Sequence, residues 1–141
     1  MGVGYNIFTH NAKQHGFVPY VGDGSAVAST VHVADGVPFL SKIVGIAGTE
    51  KPKGSAYSRY YILHGERVTW KDLGVALAKV LHAKGTVSSS EPKAVPAAEA
   101  GEGEIGVLIA SNMLVQGDRA ARLGFKVTQR SILDQLQEDL A

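Results

Sequence analysis

The sequence predicts a small α/β domain. Three observations point there: short β-branched or aromatic runs bounded by turn residues at 17–21, 28–33 and 59–63, segments of helical apolar spacing at 35–47, 69–84 and 131–140, and 17 glycines that mostly punctuate the ends of these segments. At 141 residues and 45% hydrophobic content the chain is long enough for one core and short for two, so a single domain over 1–141 is expected, with short strands and four or five helices.

Taken in order, Asn6 to His15 is weakly helical and Gly16 is placed to end it in a left-handed conformation. Phe17 to Val21 reads as a strand, at an edge because Pro19 cannot donate to a ladder. Gly22-Asp23-Gly24-Ser25 supplies a turn and Ala28 to Val33 a second strand, which together give a hairpin. Asp35 is placed to cap a helix whose Val37, Leu40, Val44 and Ala47 share one face, expected to meet a core, and Gly48 is placed to stop it. A polar loop follows over 49–58, with Lys51 and Lys53 flanking Pro52, and Arg59 to Leu63 then reads as a strand.

Thr69-Trp70-Lys71-Asp72 is a helix start, because the Thr69 hydroxyl can take free backbone N–H groups and Asp72 complements the positive end of the dipole. That helix runs to about Lys84 with Leu73, Leu77, Val80 and Leu81 inward and Gly85 as its stop. Residues 86–103, rich in Ser, Pro, Ala and Glu, read as a flexible loop or linker, or as a loose helix-bearing connection. Ile105 to Ala110 is apolar enough for a buried helix or strand, and Gln116 to Leu123 is a short helix stopped by Gly124. Ser131 and Asp134 repeat the capping pattern ahead of a terminal helix that buries Ile132, Leu133, Leu136 and Leu140.

Fourteen basic side chains balance 13 acidic ones, and no like-charge block forms a basic stripe, which argues against nucleic acid or an anionic membrane as partner. The absence of cysteine removes disulfides, thiolate nucleophiles and cysteine-ligated zinc. No segment approaches the roughly 20 apolar residues of a membrane span, and residues 1–10 lack the pattern of a signal peptide, so a cytoplasmic protein is expected.

Chemistry-bearing motifs are few. Gly101-Glu102-Gly103-Glu104-Ile105-Gly106 fits the letters of the dinucleotide fingerprint, but a Pro- and Ala-rich stretch precedes it where a strand is needed, and Glu102 and Glu104 would oppose phosphate. None of Tyr5, Tyr20, Tyr57, Tyr60 or Tyr61 has a Lys four positions later, so the proton-transfer pair of short-chain dehydrogenases is missing. His10, His15, His32, His64 and His82 show no metal-binding spacing. His32, inside Val31-His32-Val33 and just before a helix, is either a histidine hydrogen-bonded to backbone or the one catalytic candidate.

Four stretches carry a resemblance: Val21-Gly22-Asp23-Gly24 with Val31-His32-Val33-Ala34-Asp35; Tyr60-Tyr61-Ile62-Leu63 with Val68-Thr69-Trp70-Lys71-Asp72-Leu73; Leu81-His82-Ala83-Lys84-Gly85; and Ser111-Asn112 with Arg119-Ala120-Ala121-Arg122-Leu123-Gly124-Phe125. Their order and spacing resemble the C-terminal, substrate-side part of extended short-chain dehydrogenases/reductases, in particular a fungal NAD-dependent epimerase/dehydratase-like or dihydroflavonol-reductase-like group. The resemblance implies a substrate lobe of a Rossmann-type enzyme and a small-molecule substrate met by Ser29, His32 and Asn112. It implies NAD(P) for the full-length family, with no cofactor bound by this chain alone. Such a lobe exposes an apolar patch, to be covered by a Rossmann-domain partner or by a second copy.

The departures bear on function. The Gly-rich turn and the Tyr and Lys are absent, Ala28 stands where sugar-nucleotide epimerases carry an Arg for the diphosphate, and Phe125 and Val127 replace the usual Trp and Pro. Gly36 and Pro38 are expected to disturb the first turn of the Asp35 helix. The reading is therefore the substrate-side portion of an NAD(P)-dependent epimerase/dehydratase or reductase, not catalytic alone. The alternatives are a non-catalytic module that binds a small ligand or a protein, and a small acid–base isomerase or cyclase using His32 or Glu66.

Overall fold

The computed structural model describes residues 3–50, 54–101 and 103–140, so Lys51, Pro52, Lys53 and Glu102 lie outside the described residues. Those residues form an α/β structure of six α-helices and four short strands. The order is α1 (Val3–His15), β1 (Pro19–Val21), β2 (Val27–Thr30), α2 (Val33–Thr49), β3 (Glu66–Thr69), α3 (Trp70–Ala83), β4 (Lys93–Val95), α4 (Ile105–Ile109), α5 (Asp118–Arg122) and α6 (Ile132–Asp139). Two 3₁₀ turns, Ala56–Arg59 and Ala97–Glu99, complete it. None of these helices is long and apolar enough to cross a membrane.

The strands pair at long range, which corrects the expected hairpin. β1 runs parallel to β4 with Pro19, Tyr20 and Val21 opposite Lys93, Ala94 and Val95, while β2 pairs with β3. Between β1 and β2, Gly22 (φ 63°) and Gly24 (φ 74°) take left-handed conformations, and Asp23 Oδ1 accepts from the N–H (2.9 Å) and hydroxyl (2.7 Å) of Ser25. This tight turn packs Gly24 onto the side chains of Lys71 and Tyr20 and sends β2 elsewhere. Pro19 is at an edge because a two-stranded ladder has only edges, and the Lys93 N–H bonds Val18 O at 3.0 Å.

The 86–103 segment, expected as a loop, contributes β4 and a 3₁₀ turn. Ser88 ties it to the end of α1 through two bonds of 2.9 Å to Gly16 O, and Val87 is buried in the core. The strand expected at Arg59 to Leu63 does not form; the ladder begins at Glu66 instead. Here the Arg119 guanidinium donates to the carbonyls of Tyr57 and Tyr60, engaging acceptors a ladder would use.

The described chain divides into two compact units, one of Met1–Ala28, Arg67–Met113 and Arg130–Ala141, the other of Ser29–Glu66 and Leu114–Gln129. Unit one holds the hydrophobic core. The Thr69 hydroxyl accepts the Asp72 N–H (2.9 Å) and donates to the Asp72 carboxylate (2.7 Å), starting α3, whose Leu73, Leu77 and Leu81 are buried. Gly85 (φ 68°) ends that helix, and the Ser131 hydroxyl caps α6, which buries Leu136 and Leu140. Gly74 is the one gap in α3: a methyl there would meet Pro92 at 3.5 Å and Val18 at 3.8 Å, beside an apolar hollow of ≈20 Å³ walled by Trp70, Leu77 and Ile109. Gly74→Ala is therefore expected to stabilise the protein by about 1 kcal/mol, from helix propensity and methyl burial, and to raise the thermal midpoint by roughly 3 °C. A midpoint that falls would mean that the 3.5 Å approach is a clash.

Unit two is organised by α2, and two expectations are corrected there. Asp35 does not cap this helix; His32 does, and Asp35 lies within the first turn, its carboxylate directed to Thr128 and Gln129. Nor do Gly36 and Pro38 break the turn: Gly36 is buried beside Leu63, and the helix runs on through Gly48 to Thr49. The face of Val37, Leu40 and Val44, expected to be buried, is 56%, 61% and 71% exposed. Phe39, Asp35 and Gly36 are buried instead, with Phe39 edge-on to Tyr61 and Phe125 at 5.7 Å each. Apolar residues surround this helix, and burial falls on the side that other segments of the unit cover.

Candidate functional site

Of the residues singled out from sequence, Ser29, His32 and Asn112 each accept a backbone N–H on a side-chain atom. In unit two, Ser29 Oγ accepts the Val115 N–H at 3.1 Å. His32 is extended (φ −74°, ψ 136°), and its Nδ1 accepts the Ala34 N–H at 3.1 Å, so the imidazole caps α2. Glu66, half-buried, opens β3.

Asp35, 4% exposed, is the most heavily bonded of these side chains. Its Oδ1 accepts from the Thr128 N–H at 2.9 Å, the Thr128 hydroxyl at 2.6 Å and the Gln129 N–H at 3.3 Å. Burial alone would push its carboxyl up; the bonds from Thr128 and Gln129, with His32 nearby, outweigh that and hold it below the usual 3.8. The carboxylate is thus an ionised fastener between the first turn of α2 and residues 128–129, and sequence reading, which took it for a cap, did not see that use.

In unit one, Asn112 Oδ1 accepts the Val27 N–H at 2.8 Å, Met113 N–H returns a 2.8 Å bond to Val27 O, and Ala28 and Met113 form a parallel bridge. The Trp70 indole N–H bonds Ser111 O at 3.1 Å. Asn112 therefore acts as a splice that adds 111–113 alongside β2.

The glycine-rich segment also belongs to unit one. It does open a helix, α4, but the turn Ala97–Glu99 precedes it and α4 has only five residues. A methyl at Gly106 would lie 1.8 Å from Ala97 O, and one at Gly101 2.6 Å from the Ile105 side chain. Gly106 is closed by this chain's own backbone, whereas Gly103, the glycine whose backbone would approach a pyrophosphate, is open; what the motif lacks is the strand before the turn and a long helix after it, the context that gives the fingerprint its meaning.

Two polar atoms that sequence reading passed over are sealed from solvent without a partner among the described residues of unit two: Thr30 Oγ1 and His64 Nε2. They flank the start of the ladder, where the Gly65 N–H bonds Thr30 O at 2.8 Å. Nothing in the local sequence marks them, because their isolation follows from packing alone. A cleft of ≈470 Å³ between α3 and α6 has Asp72, Lys79 and Asp134 at its rim and Val75, Val80 and Leu133 in its floor, and holds none of the sequence candidates. Among the described residues no group of three His, Cys, Asp or Glu could hold a metal ion.

Comparison with models of known protein families and with curated proteins gives no match.

Proposed function

We propose that this chain is the substrate-side portion of an NAD(P)-dependent epimerase/dehydratase or reductase of the extended short-chain type, not catalytic alone and completed by a separate cofactor-binding body. One observation carries the incompleteness. Among the described residues, two of the sixteen buried apolar residues, Phe39 and Ala120, belong to unit two, whereas eleven of the fourteen exposed large hydrophobics do, among them Val33, Val44, Tyr57, Tyr60, Leu114 and Val127. Apolar exposure on that scale, with so few buried apolar residues beneath it, suits a unit built to be covered.

Support for the family comes from the junctions between the resembling stretches. Arg119 of the closing stretch holds the Tyr60 carbonyl, Asp35 of the first holds the residues just after Phe125, and Trp70 of the second holds Ser111. The residues that carry the resemblance are thus those that tie distant segments together, as expected of a shared fold pattern. Within unit two, Ser29 and His32 then meet the substrate by fixing backbone, and Asn112 does the same for unit one by itself.

The test is calorimetric titration with NADH and NADPH, of the chain alone and of the chain mixed with a separately expressed cofactor-binding half of an extended short-chain dehydrogenase. The expected result is no saturable binding to the chain alone at millimolar cofactor, and a 1:1 complex with the added half that binds cofactor. Micromolar binding by the chain alone would contradict the reading.

A further inference from the structure

Helices α3 and α6 both belong to unit one, and the cleft of ≈470 Å³ between them has no part in the functional reading. Its size is that of a small-molecule pocket, and so is its make-up, an apolar floor with a few polar groups at the edge. Along α3 the residues Asp72, Val75, Ala76 and Lys79 follow one another at helical spacing on one face. Val80 and, from α6, Leu133 complete the floor, and its four aliphatic side chains are half-buried.

The charges around this floor are not engaged with one another. The Asp72 carboxylate accepts the Thr69 hydroxyl at 2.7 Å through Oδ2, which leaves Oδ1 without a hydrogen-bond partner among the described residues. Lys79 and Asp134 are exposed, and neither makes a hydrogen bond or ion pair among those residues. Arg130, which feels the Asp134 charge, is bonded to Glu138 at 2.6 Å instead. Seven residues of helix set Asp72 and Lys79 about 10 Å apart along the axis, so an anionic and a cationic group stand at two ends of an apolar trough. A wholly apolar ligand would cover that trough and leave both charges unmatched. A simple anion or cation would match one and oppose the other.

We propose that the α3–α6 cleft binds a small zwitterion with an apolar body, its ammonium on Asp72 and its carboxylate on Lys79. Asp134 adds a second carboxylate, which favours a ligand that carries an ammonium over one that is only an acid. A short apolar peptide with both ends free has this form, since three extended residues span about 10 Å. The site is independent of the functional reading, because unit one alone builds it and none of Ser29, His32 or Asn112 lines it. An empty cleft would leave that reading standing, and cofactor binding by the chain alone would leave the cleft standing.

Nuclear magnetic resonance titration of the ¹⁵N-labelled chain tests it, with Leu-Ala-Leu as one probe and 8-aminooctanoate, of similar charge separation without peptide groups, as the other. The expected result is saturable shifts below about 5 mM, confined to amides over 72–80 and 131–136. Binding of the tripeptide alone assigns the cleft to peptides, and binding of both assigns it to apolar zwitterions at large. Acetylating the amino end or amidating the carboxyl end of Leu-Ala-Leu should each weaken binding by about threefold to tenfold. Lys79→Gln removes an exposed side chain with no bond to lose; it should weaken the free peptide as much as amidation does and leave the affinity for the amide unchanged. Circular dichroism checks that this variant stays folded. No saturable shift with either probe at about 10 mM, equal binding of the peptide blocked at both ends, or an amidation penalty that persists in Lys79→Gln would overturn the proposal.

Discussion

Gly106→Ala is expected to be the most damaging single methyl in the protein, lowering stability by about 3 kcal/mol or more. A Cβ at that position would lie 1.8 Å from Ala97 O and 2.9 Å from Ala97 C, contacts only a backbone shift can relieve. The shift is opposed on both sides, since α4 buries Ile109 and Asn11 donates its side-chain amide to Ala100 O. Urea unfolding should show a midpoint displaced strongly downward. Gly103→Ala, whose Cβ meets nothing within 4 Å and whose cost is only its φ of 58°, should lose about 1 kcal/mol. The pair separates two roles for the same motif. If the motif served a phosphate, Gly103→Ala, at the glycine that would approach it, would lower cofactor affinity, whereas Gly106→Ala reports the packing on Ala97.

Asp35→Ala is expected to cost about 2–4 kcal/mol, because it leaves the Thr128 N–H, the Thr128 hydroxyl and the Gln129 N–H without their acceptor. Asp35→Asn keeps one oxygen and should lose less. The pH dependence has a definite sign. The folded carboxyl titrates below its ordinary 3.8, so its contribution is fully present above that value and is lost as pH falls through the folded one. Wild-type stability should therefore decline in acid more steeply than that of Asp35→Ala, with the two converging as pH drops. Parallel acid slopes for both proteins would show that Asp35 is not the ionised fastener described above.

Local structure was legible where one residue decides it. The Thr69 and Ser131 caps, and the stops at Gly16, Gly85 and Gly124 with φ of 71°, 68° and 84°, stand where turn and capping chemistry place them. Two failures were local, since α2 runs on through Gly36, Pro38 and Gly48, and the others depended on a partner distant in sequence. β4 is hidden in a Ser- and Pro-rich stretch because its ladder partner is 74 residues away, Pro19 opposite Lys93. Within the stretch expected as a strand at Arg59 to Leu63 the Tyr60 carbonyl accepts from Arg119, and the Asp35 side chain, expected as a cap, bonds Thr128 instead. In α2 the face expected to meet a core, Val37, Leu40 and Val44, is exposed, because apolar residues surround the helix and periodicity does not say which side is covered. As for the candidate site, Ser29, His32 and Asn112 were picked out as side chains facing a ligand, and their visible work is to bond the amides of Val115, Ala34 and Val27.

Unit two's want of a core can be measured without knowing any substrate. Amide hydrogen exchange on the chain should show the amides of α2 opening at least tenfold more readily than those of Leu77 to Leu81 in α3, which belong to the buried cluster. Added cofactor-binding half should slow exchange across α2. Equal protection of α2 and α3 in the chain by itself would mean that unit two is already complete, and the account of this protein as one part of a larger assembly would fall.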